Sequence, residues 1–360
     1  MYKKLNVAEL LKQLKFHTAH SNEVYIDSVA DVITITSNTE KDKPKGTLTT
    51  QLPKSSGNPG GIKMKIKQLR KTAKGLEEVS LVHTEDEYIP VYSVGAFEKL
   101  TTSDVKVLKR WFRSILSFTM EVSDPRNYLR CIILQPEKKR AWASDGTRAF
   151  FIPLTTELIE ILPSEGEFGL PTDALRGFLK ALNSDCKKLS LERSSDGLIF
   201  HAQGTQVRLP YHRHKYPNME QIVPRREEYK IIFRINRKEF IKDLKKLKKD
   251  NKKKDLEIIF RFWNHHVTLE VNDCWVKYHD PDVIDYRSIN EIVNNQEETL
   301  FEAKFNLKYF LQCLENMISN RVQIAFHDRY GPCRIEGMSN TSDEVDEHQW
   351  GVVMPIMDLG

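Results

Sequence analysis

The chain repeats one spacing of apolar residues. Three segments, starting at Leu5-Asn6, Ile235-Asn236 and Phe305-Asn306, have apolar residues 4, 5 and 8 positions after the Asn. In each segment the apolar residue before Asn would end a short strand, Asn would cap a helix, and the later apolar residues would form one helical face. A fourth copy starts at Leu170-Pro171, where Pro is tolerated in the first helical turn.

Two looser copies of this spacing start at Lys65 and Thr101, so the copies fall at positions 6, 65, 101, 171, 236 and 306. After most copies come alternating runs rich in β-branched residues, such as 32–35 and 266–271, which predict antiparallel strands. Unrelated amphipathic helices could resemble one another by chance, but three copies of the full string favour a true repeat. The sequence therefore predicts an α+β chain of six units, each a strand, a helix and a small antiparallel sheet.

Composition limits the class of protein. The 360 residues allow about two or three domains, and 40% hydrophobic with 29% charged residues is typical of a globular protein. No apolar run approaches the ~20 residues of a membrane span, and residues 1–6 lack the apolar core of a secretory signal. We therefore expect an intracellular protein without membrane contact. The five cysteines form no Cys-x-x-Cys pair, so we expect reduced, mostly buried thiols.

Basic residues concentrate on the predicted helices, although the net charge is only +5. Acidic residues gather elsewhere, as in Glu85-Asp86-Glu87. Lys and Arg on helices, without neighbouring aromatic residues, suit sequence-independent contact with a phosphate backbone. The predicted DNA-facing residues are Lys12, Lys67, Arg70, Lys71, Lys74, Lys106, Arg110, Arg113, Arg176, Lys180, Lys242, Lys245, Lys246 and Lys308. A further basic run at 252–254 is more typical of a solvated loop.

The sequence gives no indication of catalysis. It has neither the phosphate-binding Gly-x-x-x-x-Gly-Lys-Ser/Thr loop nor a Gly-x-Gly-x-x-Gly string after a strand. The histidine pairs at 17 and 20, 212 and 214, and 265 and 266 lack a third ligand at a usual spacing. Ser144-Asp145-Gly146 is expected to be a turn between strands, not a nucleophile elbow. We therefore predict no catalytic residue, no metal site and no cofactor.

A set of short strings within residues 98–360 follows a known order. The strings are Arg126-Asn127-Tyr128-Leu129, Ala143-Ser144-Asp145-Gly146-Thr147-Arg148, Phe168-Gly169-Leu170-Pro171, Tyr216-Pro217-Asn218 with Ile222-Val223-Pro224, Phe305-Asn306-x-x-Tyr309, and Val352-Val353-Met354-Pro355-Ile356. In that order they resemble the bacterial sliding clamp family, the beta subunit of the DNA polymerase III holoenzyme. Each string is weak evidence alone, and their common order is strong evidence.

The resemblance implies a three-domain DNA-clamp fold, with domains at 1–97, 98–227 and 228–360, each a pair of the units described above. It implies a processivity factor rather than an enzyme. Two chains would close head to tail into a homodimeric ring that encircles duplex DNA without reading its sequence. The protein would then act in the cytoplasm, on the nucleoid.

The resemblance also implies one peptide-binding pocket per chain, into which the replicative DNA polymerase and the clamp loader insert clamp-binding peptides. A flexible Met among aliphatic and aromatic residues suits a site that accepts several peptides. Carried over by match, the pocket residues are Leu129, Ser144, Gly146, Thr147, Arg148, Ala149, Pro217, Ile222, Asn306, Tyr309, Cys333, Val352, Met354, Pro355 and Ile356.

Some positions depart from the family pattern. Thr147 stands where the family often has His, and Gln221 where it often has a basic residue, so the peptide preference is expected to differ. The first domain is short, and its last predicted strand, Tyr88-Ile89-Pro90-Val91-Tyr92, contains a Pro that removes a backbone donor at the expected subunit interface. These departures suggest a divergent member, phage- or plasmid-borne. They leave open a clamp-like adaptor that binds clamp-binding peptides without encircling DNA. An enzyme or a sequence-reading DNA binder is the remaining alternative.

Overall fold

The structure of the protein, a computed structural model, divides the chain into two compact units. The first is Met1–Ala141 with Leu154–His214, and the second is Trp142–Pro153 with Lys215–Gly360. Only the backbone is described before Asp104, at 284–286, and at positions 181, 205 and 348. The described residues are 2–6, 23–29, 32–38, 47–53, 60–65, 78–82, 99–120, 126–182, 186, 188–194, 196–202, 205–212, 216–249, 256–263, 266–272, 274–278, 284–286, 301–340, 342 and 344–356.

Strands predominate over helices in the described residues. The strands are β1 (Tyr2–Asn6), β2 (Glu23–Val29), β3 (Val32–Asn38), β4 (Thr47–Pro53), β5 (Gly60–Lys65), β6 (Glu78–Val82), β7 (Lys99–Asp104), β8 (Cys131–Gln135), β9 (Arg140–Ser144), β10 (Arg148–Pro153), β11 (Phe168–Pro171), β12 (Lys188–Ser194), β13 (Gly197–Ala202), β14 (Thr205–Pro210), β15 (Ile231–Asn236), β16 (Glu257–Trp263), β17 (His266–Val271), β18 (Cys274–Tyr278), β19 (Ile284–Tyr286), β20 (Phe301–Asn306), β21 (Arg321–Phe326), β22 (Cys333–Met338) and β23 (Val345–Val353). The α-helices are α1 (Val105–Leu116), α2 (Thr156–Ile161), α3 (Thr172–Ala181), α4 (Arg237–Lys249) and α5 (Leu307–Asn316). Short 3-10 helices are Asn127–Arg130, Met219–Gln221 and Arg226–Glu228.

The first unit contains an eight-stranded antiparallel sheet in the order β5-β2-β3-β4-β14-β13-β12-β7. Its two halves meet where β4 pairs with β14, and Thr50 lies opposite Thr205. Phe112 of α1 and Phe178 of α3 both pack against Phe200 of β13. The two helices therefore cover one face of this sheet and form its core.

The second unit contains two antiparallel sheets. One has the order β10-β23-β22-β21-β15-β19, and the other has the order β18-β17-β16-β20. Buried and more exposed residues alternate along β16 and β17, so one face of the four-stranded sheet is covered and the other meets solvent. Phe260 of β16 lies 5.1 Å from Phe310 of α5 and 5.2 Å from Phe326 of β21, between ring centroids. One core therefore joins α5 to strands of both sheets.

The predicted strand-to-helix repeat is confirmed where the structure describes it. Strands β1, β5, β11, β15 and β20 end at the repeat positions 6, 65, 171, 236 and 306. Helices follow directly after β11, β15 and β20, as α3, α4 and α5, whereas the helices predicted after positions 6 and 65 lie outside the described residues.

The copy predicted at Thr101 was placed three residues too early, since β7 runs on to Asp104 before α1 begins. The cause is the capping residue. The Asp104 carboxylate accepts the Lys106 backbone N–H at 2.6 Å, which satisfies a donor of the first helical turn.

All five cysteines are free thiols, four of them buried, as predicted. None of the described helices has the length and apolar character needed to cross a bilayer. Among the described residues no group of three or more His, Cys, Asp or Glu side chains is arranged to hold a metal ion.

Candidate functional site

The predicted pocket residues of the second unit centre on the junction of β10 and β23. In this antiparallel pair Arg148 lies opposite Val353, and Ala149 lies opposite Val352. On the far side of β23, Val353 pairs with Cys333 of β22. Paired residues share a face of the sheet, so Ala149 and Val352 lie side by side on one face, and Arg148, Val353 and Cys333 on the other.

The turn before β10 is held by its own side chains. Gly146 has φ of +89°, a conformation that favours glycine. The Ser144 hydroxyl donates to the Arg148 carbonyl at 2.8 Å and accepts the Gly146 N–H at 3.0 Å. The Asp145 carboxylate accepts the backbone N–H groups of Thr147 and Arg148 and the Thr147 hydroxyl. This is the turn that the sequence predicted at Ser144-Asp145-Gly146, and it presents Thr147 at the surface.

Arg148 is directed into the protein, and its side chain is only 6% exposed. Its Nε donates to Asp145 at 2.9 Å, and its Nη1 donates to the Gln312 side chain of α5. The guanidinium lies 4.3 Å from the centre of the Tyr309 ring, in cation–π contact. Arg148 therefore links the turn to α5 and fixes the Tyr309 ring.

The segment after β23 is attached at both ends. The Met354 N–H donates to the Thr147 carbonyl at 2.9 Å, and the Ile356 N–H donates to the Lys304 carbonyl of β20 at 2.9 Å. Pro355 forms an isolated bridge with Phe305. Residues 354–356 thus connect the two sheets of the second unit while the Met354 side chain stays 37% exposed.

Helix α5 begins beside this segment. The Asn306 side chain caps the helix by accepting the Tyr309 N–H at 3.2 Å, as the repeat predicted. Cys313 of the same helix is fully buried, and burial raises the pKa of its thiol to about 12. Burial likewise raises the pKa of the Cys333 thiol well above its ordinary value. Both thiols are buried and stay protonated at neutral pH.

The structure brings twelve of the fifteen predicted pocket residues into this one region of the second unit. They differ in accessibility: Gly146, Thr147 and Met354 are exposed, whereas Cys333 is fully buried. Pro217 and Ile222 lie in residues 216–230 of the same unit, and Leu129 is buried in the 3-10 helix of the first unit. The pocket as a whole remains a prediction.

Two side chains that hold the site were missed from the sequence. Asp145 had a local signal, because an Asp before Gly in a tight turn commonly accepts nearby backbone N–H groups. Gln312 had none, because its contact with Arg148 joins residues that are 164 positions apart.

Three predicted DNA-facing residues form an exposed stripe on α1. Lys106, Arg110 and Arg113 are exposed, whereas Leu108 and Phe112 on the opposite side of the helix are buried. The spacing of three and four residues places the three cations on one helical face.

The other predicted DNA-facing residues fall into three groups. Lys180, Lys242, Lys245, Lys246 and Lys308 are exposed, with Lys245 bonded to Glu315 at 2.7 Å. Arg176 is half-buried and donates to the Leu116 carbonyl at 2.6 Å, so it joins α3 to the C-terminal end of α1. Those outside the described residues are Lys12, Lys67, Arg70, Lys71 and Lys74.

Comparison with known proteins identifies the fold. Neither a protein-family model nor a curated protein matches the sequence. Among solved structures, the DNA polymerase sliding clamp of Caulobacter crescentus is 17% identical, with a TM-score of 0.70 over 99% of this chain and 100% of its own. The DNA polymerase III beta subunits of Pseudomonas aeruginosa and Streptococcus pneumoniae are each 14% identical over the same shares, with TM-scores of 0.72 and 0.70.

The chain therefore has the α+β fold of the DNA sliding clamps over 99% of its length, and the resemblance read from the sequence is confirmed at the level of the fold. The likeness extends beyond residues 98–360, where the matching sequence strings lie. The domain boundaries at 97 and 227 stay a prediction.

Proposed function

We propose that this chain is a DNA polymerase processivity clamp of the bacterial beta type, with the short first domain of a divergent member. Two copies would close head to tail around duplex DNA, and each would offer a peptide-binding site to the replicative polymerase and the clamp loader. The observation that carries the proposal is the sliding-clamp fold over 99% of the chain. The protein would act on the nucleoid, in the cytoplasm.

The sheet edges support closure into a ring. Three four-stranded groups have one common order, β5-β2-β3-β4, β11-β8-β9-β10 and β20-β16-β17-β18, and helices α3 and α5 follow β11 and β20 directly. At the opposite edge of each group, β4 pairs with β14, and β10 pairs in the equivalent way with β23. Among the described strands β18 has no such partner, and an open edge strand readily pairs with another chain.

The side chains of β18 suit burial against a second copy. Trp275 is 65% exposed on this edge strand, an unusual position for the largest apolar side chain. In a head-to-tail arrangement the partner strand comes from the first domain of the other chain. The strand predicted at 88–92 would fill that role, and it lies outside the described residues.

The basic stripe of α1 supports a weak, sequence-independent grip on DNA. Lys106, Arg110 and Arg113 can each reach a phosphate, and none is accompanied on the exposed face by an aromatic side chain that could stack on a base. Contacts of this kind fall off steeply with salt and permit sliding. Topological linkage would then supply persistence.

The surface around residues 354–356 supports a peptide site. It combines the exposed Met354 side chain with the half-buried Tyr309, Pro355 and Ile356. A flexible Met beside rigid rings can adapt to more than one peptide.

Retention on circular and on linear DNA tests encirclement. The protein is loaded onto a nicked plasmid with a bacterial clamp loader and ATP, and bound protein is separated from free protein by gel filtration before and after one restriction cut. We expect it to remain on the circle and to be lost from the cut DNA, because a ring slides off free ends. Equal retention on both forms would contradict encirclement.

The second candidate is an adaptor that binds clamp-binding peptides without encircling DNA. Pro90 favours it, because Pro removes a backbone donor from the strand that would pair with β18. An adaptor would fail to accumulate on the circular plasmid and would still bind the peptide.

A further inference from the structure

A fully buried carboxylate lies on the larger sheet of the second unit. Glu336 of β22 is 0% exposed. It accepts hydrogen bonds from the Arg334 guanidinium at 2.9 Å and from the Gln323 amide at 3.0 Å. A buried charge is stable only when it is paired in this way, so the cluster around Glu336 has a demanding geometry.

Two further hydrogen bonds to Glu336 come from outside the sheet. Arg226 donates to one Glu336 oxygen from Nε at 3.2 Å and from Nη2 at 3.0 Å. Its remaining nitrogen, Nη1, donates to Glu347 of β23 at 3.1 Å. The single guanidinium therefore holds two neighbouring strands, which a Lys side chain could not do with the same geometry.

Arg226 belongs to the connector, which we define as residues 216–230. Val223 and Tyr229 on either side of Arg226 are buried, so the connector is also attached to the unit on both sides of Arg226. Ile222, directly before Val223, is 46% exposed. Its N–H donates to the Met219 carbonyl at 3.2 Å and closes a 3-10 turn.

The connector is fixed to the face that carries Ala149 and Val352, two of the predicted pocket residues. Glu336 pairs with Trp350 and Arg334 pairs with Val352, while Val352 also pairs with Ala149. Residues two apart on a strand share a face, so Glu336 and Val352 lie on one side of the sheet. Arg226 thus binds a point two residue pairs along the strands from the Ala149–Val352 pair.

We infer that Arg226 is a positioning residue for the peptide site: by clamping the connector to Glu336 and Glu347 it holds Ile222 where a bound peptide contacts it. The inference rests on the proposed function, because it takes the region of residues 354–356 and Ile222 as one peptide-binding surface. Arg226 itself need not touch the peptide.

The buried Glu336 carboxylate keeps hydrogen-bond partners even without Arg226. In an Arg226→Met variant Glu336 keeps Arg334 and Gln323, so the sheet retains its charge compensation. The connector loses its bonds to both strands. Arg225, the exposed neighbour at the start of the same 3-10 helix, offers a matched control in which the same charge is removed.

The test combines peptide affinity with backbone exchange. A fluorescein-labelled clamp-binding peptide from a bacterial replicative polymerase is titrated by anisotropy against full-length wild type, R226M, R225M, I222A and the double variant R226M/I222A. We expect R226M to raise Kd about tenfold, on the order of what one apolar anchor contributes. R225M should leave Kd unchanged. In the I222A background R226M should have no further effect, because Arg226 acts through Ile222.

Hydrogen exchange of the same proteins without peptide reports on the connector alone. R226M should lose amide protection at Gln221 and Ile222, and R225M should keep it. An unchanged Kd in R226M, or additive effects of R226M and I222A, would overturn the inference. If wild type failed to bind the peptide, the proposed peptide site would be contradicted. Independently of peptide binding, unaltered hydrogen exchange in R226M would contradict the role of Arg226 in fixing the connector.

Discussion

Met354 directly follows β23, with its side chain exposed and its backbone hydrogen-bonded. Its N–H is bonded to the Thr147 carbonyl, and two residues later the Ile356 N–H is bonded to Lys304. Removing residues 354–356 would therefore break a link between two sheets and also remove part of the proposed peptide-binding surface. A single side-chain truncation separates the two effects.

We expect Met354→Ala to weaken binding of the polymerase peptide about tenfold, the loss of one partly buried apolar anchor, while the midpoint of urea unfolding changes little. Fluorescence anisotropy measures the first and circular dichroism the second. Ile318→Ala is the matched control, because Ile318 is also an exposed apolar residue of the second unit but lies outside the predicted pocket. Equal affinity of M354A and wild type would remove Met354 from the site.

Arg148 shows how a side chain acquires its role from tertiary contacts. The family resemblance implies that it is a pocket residue, and its guanidinium contacts Asp145, Gln312 and the Tyr309 ring. The local string Ser144-Asp145-Gly146 predicts the turn, but nothing in the sequence places Gln312 beside it. Of the contacts made by Arg148, only the one within its own turn could therefore be predicted from the sequence.

At the scale of elements, the strand-to-helix junctions could be read from the sequence. Each depends on signals a few residues apart: an apolar strand end, a capping side chain and the first apolar positions of the helix. The junction at Asp104 was misplaced because an Asp cap three residues further on competes with Thr101. Helix α2 was missed because it is short, 6 residues, and follows no copy of the repeat.

The pairing of distant strands could not be read in the same way. β4 with β14 and β10 with β23 join residues far apart in sequence, and alternating apolar patterns fit many partners equally well. Only the resemblance to the clamp family implied a specific arrangement. The attachment of the connector through Arg226 and Glu336 is of the same kind, since the two residues are 110 positions apart.

The exposed stripe of α1 predicts a defined loss of DNA binding. In Arg110→Glu/Arg113→Glu we expect weaker binding to a short duplex, and a slope of log K against log salt that is smaller by about 2, because two phosphate contacts are removed. Fluorescence anisotropy at several salt concentrations measures both.

The matched control is Lys138→Glu/Lys139→Glu, which changes the net charge equally at exposed positions between β8 and β9. If this pair weakened binding as much as the helix pair, the effect would come from net charge alone. The stripe would then have no special role in contacting DNA.

At the scale of the whole molecule, the open edge at β18 is the feature that most requires a partner. Two equivalent edges are closed within the chain by β14 and by β23, whereas β18 carries an exposed Trp275. Pairing with a second copy would bury that side chain and satisfy the backbone groups of the edge. The sequence raised one objection, Pro90, and only a measurement of assembly resolves it.

The most direct test of the ring is the mass of the protein in solution, by size-exclusion chromatography with light scattering at micromolar concentration. We predict twice the 41.9 kDa of one chain for wild type. Trp275→Arg should shift the protein to the monomer. Tyr330→Arg should remain dimeric, since Tyr330 is 53% exposed but lies between β21 and β22, which belong to the other sheet. A wild-type protein that elutes as a clean monomer would contradict the ring.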